Sequence, residues 1–203
     1  MKKTIIFFLA LFALVAFLRF FDSSWEIKNR DPKGENIICF GDSLTYGTGA
    51  RAGEDYPAQL SRMINTPVLN AGIPGDTTAM ALARLGEDVL SRSPRIVLVS
   101  LGANDLMRGI NRETAFHNLK TIIVAIQARG ALVVVGGIKF PFLDRGFAKS
   151  YKDLCQETGA VLVPDILADI ITSPELMSDR IHPNGIGYGL IAERFEAALQ
   201  KYL

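Results

Sequence analysis

A chain of 203 residues, 49% hydrophobic and 21% charged, is long enough for one globular domain with a sizeable core. Its 22 Lys and Arg against 21 Asp and Glu leave a formal charge of +1, so no basic field exists to hold a polyanion, and nucleic-acid binding is excluded as the main task. The two cysteines, Cys39 inside an apolar run and Cys155 far downstream, are too few for a disulfide framework or a structural zinc site and read as buried small hydrophobes.

Met1, Lys2 and Lys3 precede an uninterrupted apolar stretch from Ile5 to Leu18, followed by Arg19, Phe20 and Phe21. This is the pattern of an export signal or a membrane anchor. Ala10, Ala13 and Ala16 are spaced by three, so no Ala-x-Ala cleavage site is present, and no cysteine stands nearby for lipid attachment. With Arg19 snorkelling, the run approaches the ~20 residues that a bilayer needs. The expectation is a signal anchor or signal peptide over residues 1–21, with an uncleaved anchor over 4–21 favoured. The leading positive charge then faces the cytoplasm, and the remainder is exported to the periplasmic or extracytoplasmic side. Residues 22–35, polar and carrying Pro32 and Gly34, read as a linker, and residues 36–203 as the folded domain.

From Asn36 onward, short aliphatic runs alternate with longer stretches of helical spacing. Strands are predicted over Ile37–Phe40, Val68–Asn70, Ile96–Leu101, Leu132–Gly136 and Val161–Pro164. Their near-continuous apolar character fits strands buried on both faces of a parallel sheet. Helices are predicted over Tyr56–Ile64, Thr77–Leu90, Arg112–Arg129, Phe147–Thr158 and Gly185–Tyr202. The pattern is a doubly wound α/β sandwich of five strands, in which ligands bind beyond the carboxyl ends of the strands.

The polar residues at those ends suit acyl transfer. A serine hydroxyl needs a base within hydrogen-bond reach, and the base needs a group that fixes its tautomer. Of the two histidines, His117 lies in a helical stretch with Phe116, Leu119 and Ile123 and reads as the rim of a packed face. His182 stands three residues after Asp179; Pro183 biases it away from helical backbone, and Asn184 can cap the helix that follows. Asp179 can thus accept the Nδ1 proton and leave Nε2 free for Ser43, although a carboxylate bonded only to loop amides fits the same spacing. Ser43, after Gly41-Asp42 at a strand end, suits an exposed nucleophile and equally a helix N-cap. Thr45 stands where the Gly-x-Ser-x-Gly elbow needs its second glycine. Gly72 offers either an unobstructed amide donor or a simple turn, and Asn104 either a side-chain amide donor or an Asx-turn with Asp105. Phe140-Pro141-Phe142-Leu143, after the fourth strand, fits an acyl groove or core packing, as do Leu106 and Met107 beside Asn104.

Four blocks occur in order: Gly41-Asp42-Ser43-Leu44; Asn70-Ala71-Gly72 with Gly75-Asp76-Thr77; Gly102-Ala103-Asn104-Asp105; and Asp179-Arg180-Ile181-His182-Pro183-Asn184. Together they resemble the blocks of the GDSL or SGNH hydrolase family over the whole domain. The run Ala81–Leu85 and the segment Asn104–Gly109 are similar to those of its thioesterase I, lysophospholipase L1 and arylesterase branch. The resemblance implies a flavodoxin-like three-layer fold that needs no metal or organic cofactor. It also implies Ser43 as nucleophile, the Ser43 amide, Gly72 and Asn104 as oxyanion donors, His182 as base and Asp179 as its orienter. The expected activity is hydrolysis of small acyl esters, thioesters or lysolipids through an acyl-enzyme, with Leu106, Met107, Phe140 and Phe142 as substrate contacts. A cell-envelope carbohydrate O-acetylesterase and a non-catalytic binding module are the alternatives on this scaffold.

Overall fold

Five aliphatic runs come together as one wholly parallel sheet in the order β2-β1-β3-β4-β5. The strands are β1 (Asn36–Gly41), β2 (Val68–Gly72), β3 (Pro94–Ser100), β4 (Leu132–Gly136) and β5 (Val161–Val163). The structure is a computed structural model and describes residues 25–140 and 143–203. The expected anchor over 4–21 and Phe142 lie outside the described residues.

The alternation of side chains along a strand sorts the core into two layers. Ile37, Cys39, Ile96, Leu98, Leu132 and Val134 face one side, with Tyr56 and Leu60 of α2 (Tyr56–Met63) and Ile191, Phe195 and Leu199 of α7 (Gly185–Leu199). Ile38, Phe40, Val97, Val99, Val133 and Val135 face the other, against α3 (Thr78–Leu85), α5 (Arg112–Gln127) and α6 (Phe147–Thr158). This is the three-layer sandwich expected from the strand pattern. Both cysteines are buried and free, and burial pushes the Cys155 thiol up to about 12, which makes both inert small core residues.

Local chemistry sets the helix starts. Asp55, Thr77, Asn111 and Asn184 each accept a backbone N–H of the first turn, at the heads of α2, α3, α5 and α7 respectively. Two further short helices, α1 (Ser43–Tyr46) and α4 (Ala103–Met107), follow β1 and β3. They are too short to leave a periodicity in the sequence. The helix predicted over Thr77–Leu90 divides instead: α3 ends at Leu85, and Gly86–Leu90 widens into a π turn in which Ser91 N–H reaches the Gly86 carbonyl.

Residues 25–35, read from sequence as a linker, are fastened to the domain. Trp25 Nε1 donates to the Ala160 carbonyl (2.9 Å), Lys28 N to Gly159 O (2.9 Å), Lys33 N to Gly130 O (3.1 Å) and Glu35 N to Ser93 O (2.8 Å), while Ile27 is buried. The acceptors precede β5, β4 and β3 in the chain, so this strap closes the amino-terminal end of the sheet. Polar composition suggested a loose segment; satisfied backbone groups and a buried isoleucine hold it in place.

Candidate active site

At the opposite, carboxyl end of the sheet, β1 runs directly into α1. Asp42 caps this helix by accepting Leu44 N–H at 3.0 Å, which leaves Ser43 as its first residue rather than its cap. The N–H of Ser43 has no partner among the described residues, as expected of the first turn of a helix. Facing Ser43 is a tight loop closed by an antiparallel bridge between Met177 and Pro183, with Ser178 N–H on the His182 carbonyl (2.8 Å). Within it, His182 Nε2 lies 3.0 Å from Ser43 Oγ and Nδ1 lies 2.8 Å from Asp179 Oδ2. Asp179 Oδ1 also accepts Ile181 N–H (2.7 Å) and His182 N–H (2.8 Å). One carboxylate thus orients the imidazole and holds the turn that carries it. The hydrogen bond from His182, with both backbone donors, lowers the Asp179 carboxyl to about 2 although its side chain is half exposed, so it is ionised whenever the imidazole can act as a base.

Asn104 forms no Asx-turn with Asp105. Its Nδ2 donates to Asp76 O (2.9 Å) and Asp42 Oδ2 (3.2 Å). These acceptors are the chain neighbours of Gly75 and Ser43, so the Asn104 amide bridges the two segments that carry those residues. Asp105, fully buried, holds the start of α3 by accepting Thr78 N–H (2.9 Å) and Thr78 Oγ1–H (2.7 Å). Burial pushes the Asp42 carboxyl up to about 7, against the opposing hydrogen bond from Leu44.

Gly72, expected to supply an oxyanion donor, differs from a second glycine on the same edge in how its amide is used. Gly72 N–H is already spent on Asn70 Oδ1 at 2.9 Å, and this position is glycine because a Cβ would stand 2.2 Å from Tyr46 N. Three residues on, Gly75 has φ +85°, a left-handed conformation that favours glycine. Its carbonyl is held by Arg108 Nη2 (2.9 Å), and its N–H has no partner among the described residues. Of these two glycines, the one with an unpaired amide is therefore Gly75. Its place immediately before Asp76-Thr77, the capped start of α3, is the sequence signal that distinguishes it from Gly72.

Known proteins share this fold and the sequence behind it. The profile of the GDSL-like Lipase/Acylhydrolase family matches residues 39–190. The chain belongs to the GDSL-like lipase/acylhydrolase family. An arylesterase of Vibrio mimicus is 33% identical over 83% of this chain and 90% of its own length. The thioesterase 1/protease 1/lysophospholipase L1 of Escherichia coli K12 is 31% identical over 84% and 86%. Among solved structures, TesA superposes with a TM-score of 0.79 at 27% identity, covering 83% of this chain and all of that one. The psychrotrophic esterase EstA from Pseudoalteromonas, in a structure inhibited by monoethylphosphonate, gives 0.74 at 28%, covering 82% and 97%. The chain is therefore a serine hydrolase of this family, with its five-stranded flavodoxin-like sheet.

The other predicted contacts divide by packing. Leu106, expected to touch substrate, is 4% exposed within the core layer under α3 and α5, so it is structural. Met107, next to it, is 42% exposed. Phe140 is half buried and packs against both core layers, which favours the packing alternative at that position. His117 is exposed on α5. Among the described residues no cluster of His, Cys, Asp or Glu could hold a metal ion.

Proposed function

We propose that this protein is a serine esterase acting on small acyl esters or lysolipids, with Ser43 as nucleophile, His182 as general base and acid, and Asp179 as the group that orients His182. The oxyanion donors are the unpaired Ser43 N–H and Gly75 N–H, joined by Asn104 Nδ2–H as the substrate oxygen displaces its longer, 3.2 Å contact with Asp42 Oδ2. The observation that carries the reading is the unbroken relay Ser43 Oγ, His182 Nε2, His182 Nδ1, Asp179 Oδ2, with steps of 3.0 and 2.8 Å.

The chemistry follows from that relay. Ser43 Oγ attacks the ester carbonyl as His182 Nε2 takes its proton, and Asp179 stabilises the imidazolium. The carbonyl oxygen becomes an oxyanion facing the three donors, each worth about 2.7–4 kcal/mol of barrier when removed. Collapse breaks the bond to the leaving oxygen or sulfur, which takes the proton from Nε2 and departs as alcohol or thiol. Water then attacks the acyl-serine as His182 takes its proton; the bond from the acyl carbon to Ser43 Oγ breaks, His182 returns the proton to Oγ, and the acid released ionises to a carboxylate in solvent. Relatives described as arylesterase and as thioesterase 1/lysophospholipase L1 support ester and thioester leaving groups alike.

The proposed setting is the extracytoplasmic side, with the run over residues 4–21 serving as signal or anchor. Its charge pattern supports this, as does a relative described as a lipoprotein of Bacillus subtilis, 35% identical over 79 residues. Among the described residues no helix is long and apolar enough to cross a membrane.

The test is hydrolysis of p-nitrophenyl esters from acetate to palmitate by the fragment starting at Asp22, beside Ser43→Ala and His182→Ala. A chain-length optimum with both variants losing nearly all turnover is expected. An optimum confined to acetate selects the carbohydrate O-acetylesterase reading. Absent turnover overturns the assignment in favour of a binding module, and full activity in Ser43→Ala overturns Ser43 as the nucleophile.

A further inference from the structure

Arg84, near the end of α3, is 15% exposed and touches none of the three members of the relay. Its guanidinium reaches the segments that carry the oxyanion donors. Nη2 donates to the carbonyl of Gly41 (2.9 Å), the last residue of β1 and two before Ser43. Nη1 donates to the carbonyl of Ala71 in β2 (3.0 Å) and to Asp88 (2.7 Å). Nε donates to the Asp76 carboxylate at 2.6 Å. Asp76 itself is buried, adjoins Gly75, and gives its carbonyl to Asn104. The plane of the fork lies over Phe40, with 4.4 Å from the guanidinium carbon to the ring centre. One rigid group thus sets the spacing between the strand end that delivers Ser43 and the turn that delivers Gly75 and anchors Asn104.

We propose that Arg84 is a positioning residue for the oxyanion site, an inference that rests on the serine-esterase reading above. A charge partner for Asp76 and Asp88 is something a lysine can also supply. Holding two strand carbonyls and a carboxylate at once requires the planar five-donor fork, which a lysine lacks. Donors misplaced by about 1 Å cost on the order of 10²-fold in rate, because they serve a charge that develops only in the transition state. Arg84 therefore governs kcat through geometry and leaves ground-state binding of the acyl chain alone.

The experiment compares wild type, Arg84→Lys and Asp76→Asn in kcat and KM for p-nitrophenyl butyrate and in affinity for an alkylboronic acid. The tetrahedral adduct of that acid on Ser43 presents an oxygen to the same donors. Expected for Arg84→Lys is a kcat lower by about 10- to 100-fold, a KM within about twofold, and boronate affinity reduced in parallel with kcat. Asp76→Asn releases the turn from the other side while keeping the carbonyl for Asn104, and shifts the same two readouts in the same direction. Placed on an Asn104→Ala background, Arg84→Lys adds less than about threefold, since both changes act through one site. Boronate affinity unchanged in both variants, or losses that multiply on the Asn104→Ala background, overturns the proposal. A wild-type enzyme that neither turns over ester nor binds boronate would instead overturn the esterase reading on which it rests.

Discussion

Replacing Asp179 by asparagine should damage the enzyme more than deleting its side chain altogether. In the native loop one carboxylate oxygen accepts Ile181 N–H and His182 N–H, and the other accepts from His182 Nδ1. In Asp179→Asn the amide oxygen takes over the two backbone donors, and its NH2 group is turned toward Nδ1. Nδ1 must then accept, the ring proton moves to Nε2, and the base faces Ser43 already protonated. A serine relay locked in that tautomer loses about 10⁴ in kcat. Asp179→Ala leaves Nδ1 to water and both tautomers accessible. The electrostatic loss is then bounded by the lowering of the Asp179 carboxyl from 3.8 to about 2, just under two powers of ten in proton affinity. Exposure of half the side chain reduces it further. The expected order in kcat/KM for p-nitrophenyl butyrate at pH 8 is wild type, then Asp179→Ala down about 10- to 100-fold, then Asp179→Asn down about 10⁴. Equal activities, or the asparagine variant the more active, would refute the tautomer argument and reduce Asp179 to a brace of its loop.

Asp42 gives stability a pH dependence of definite sign. Its folded carboxyl holds a proton to about 7 while the unfolded chain releases it near 3.8, so wild type loses stability as pH rises through that window, by at most roughly 4 kcal/mol. Asp42→Asn lacks this slope, and urea unfolding of both proteins at pH 4, 5.5, 7 and 8.5 should show the difference growing up to pH 7; parallel curves would contradict it. On α4, Leu106→Ala should cost about 2–5 kcal/mol of stability with KM unchanged. Met107→Ala should stay within about 0.5 kcal/mol and raise KM for long-chain esters, and chain-length kinetics beside thermal unfolding would expose a reversal of these roles.

The sheet was legible because strands buried on both faces leave aliphatic runs such as Leu132–Gly136 and Ile96–Leu101 that nothing else in a chain of this size explains. Ser43, His182 and Asp179 were legible because only one of two histidines sits in a loop with a carboxylate one turn away. The glycine with the unpaired amide was not. Gly72 and Gly75 are the same residue type at the same sheet edge, and what separates them is the Asn70 side chain folding back onto the Gly72 amide. Leu106 and Met107 are likewise adjacent and apolar, and a helix of five residues has too little periodicity to say which one the core takes. Arg84 illustrates a third limit. Its four acceptors come from β1, β2, the following turn and the π turn after its own helix, and their convergence depends on strand order.

The strap over residues 25–35 gives the molecule two poles. Trp25 is pinned beside the start of β5, while Ser43 stands past the end of β1, and a strand of seven residues such as β3 separates those ends by about 23 Å. Only Asp22, Ser23 and Ser24 lie between Phe21 and that pin, a reach of about 14 Å when fully extended. A support that grips the chain ahead of Trp25, whether a bilayer, a bead or a fused carrier, therefore meets the floor of the sheet and leaves the catalytic edge pointing outward. An enzyme held this way works on esters arriving from the far side, and its tether is too short to let it turn around and graze on the surface that holds it.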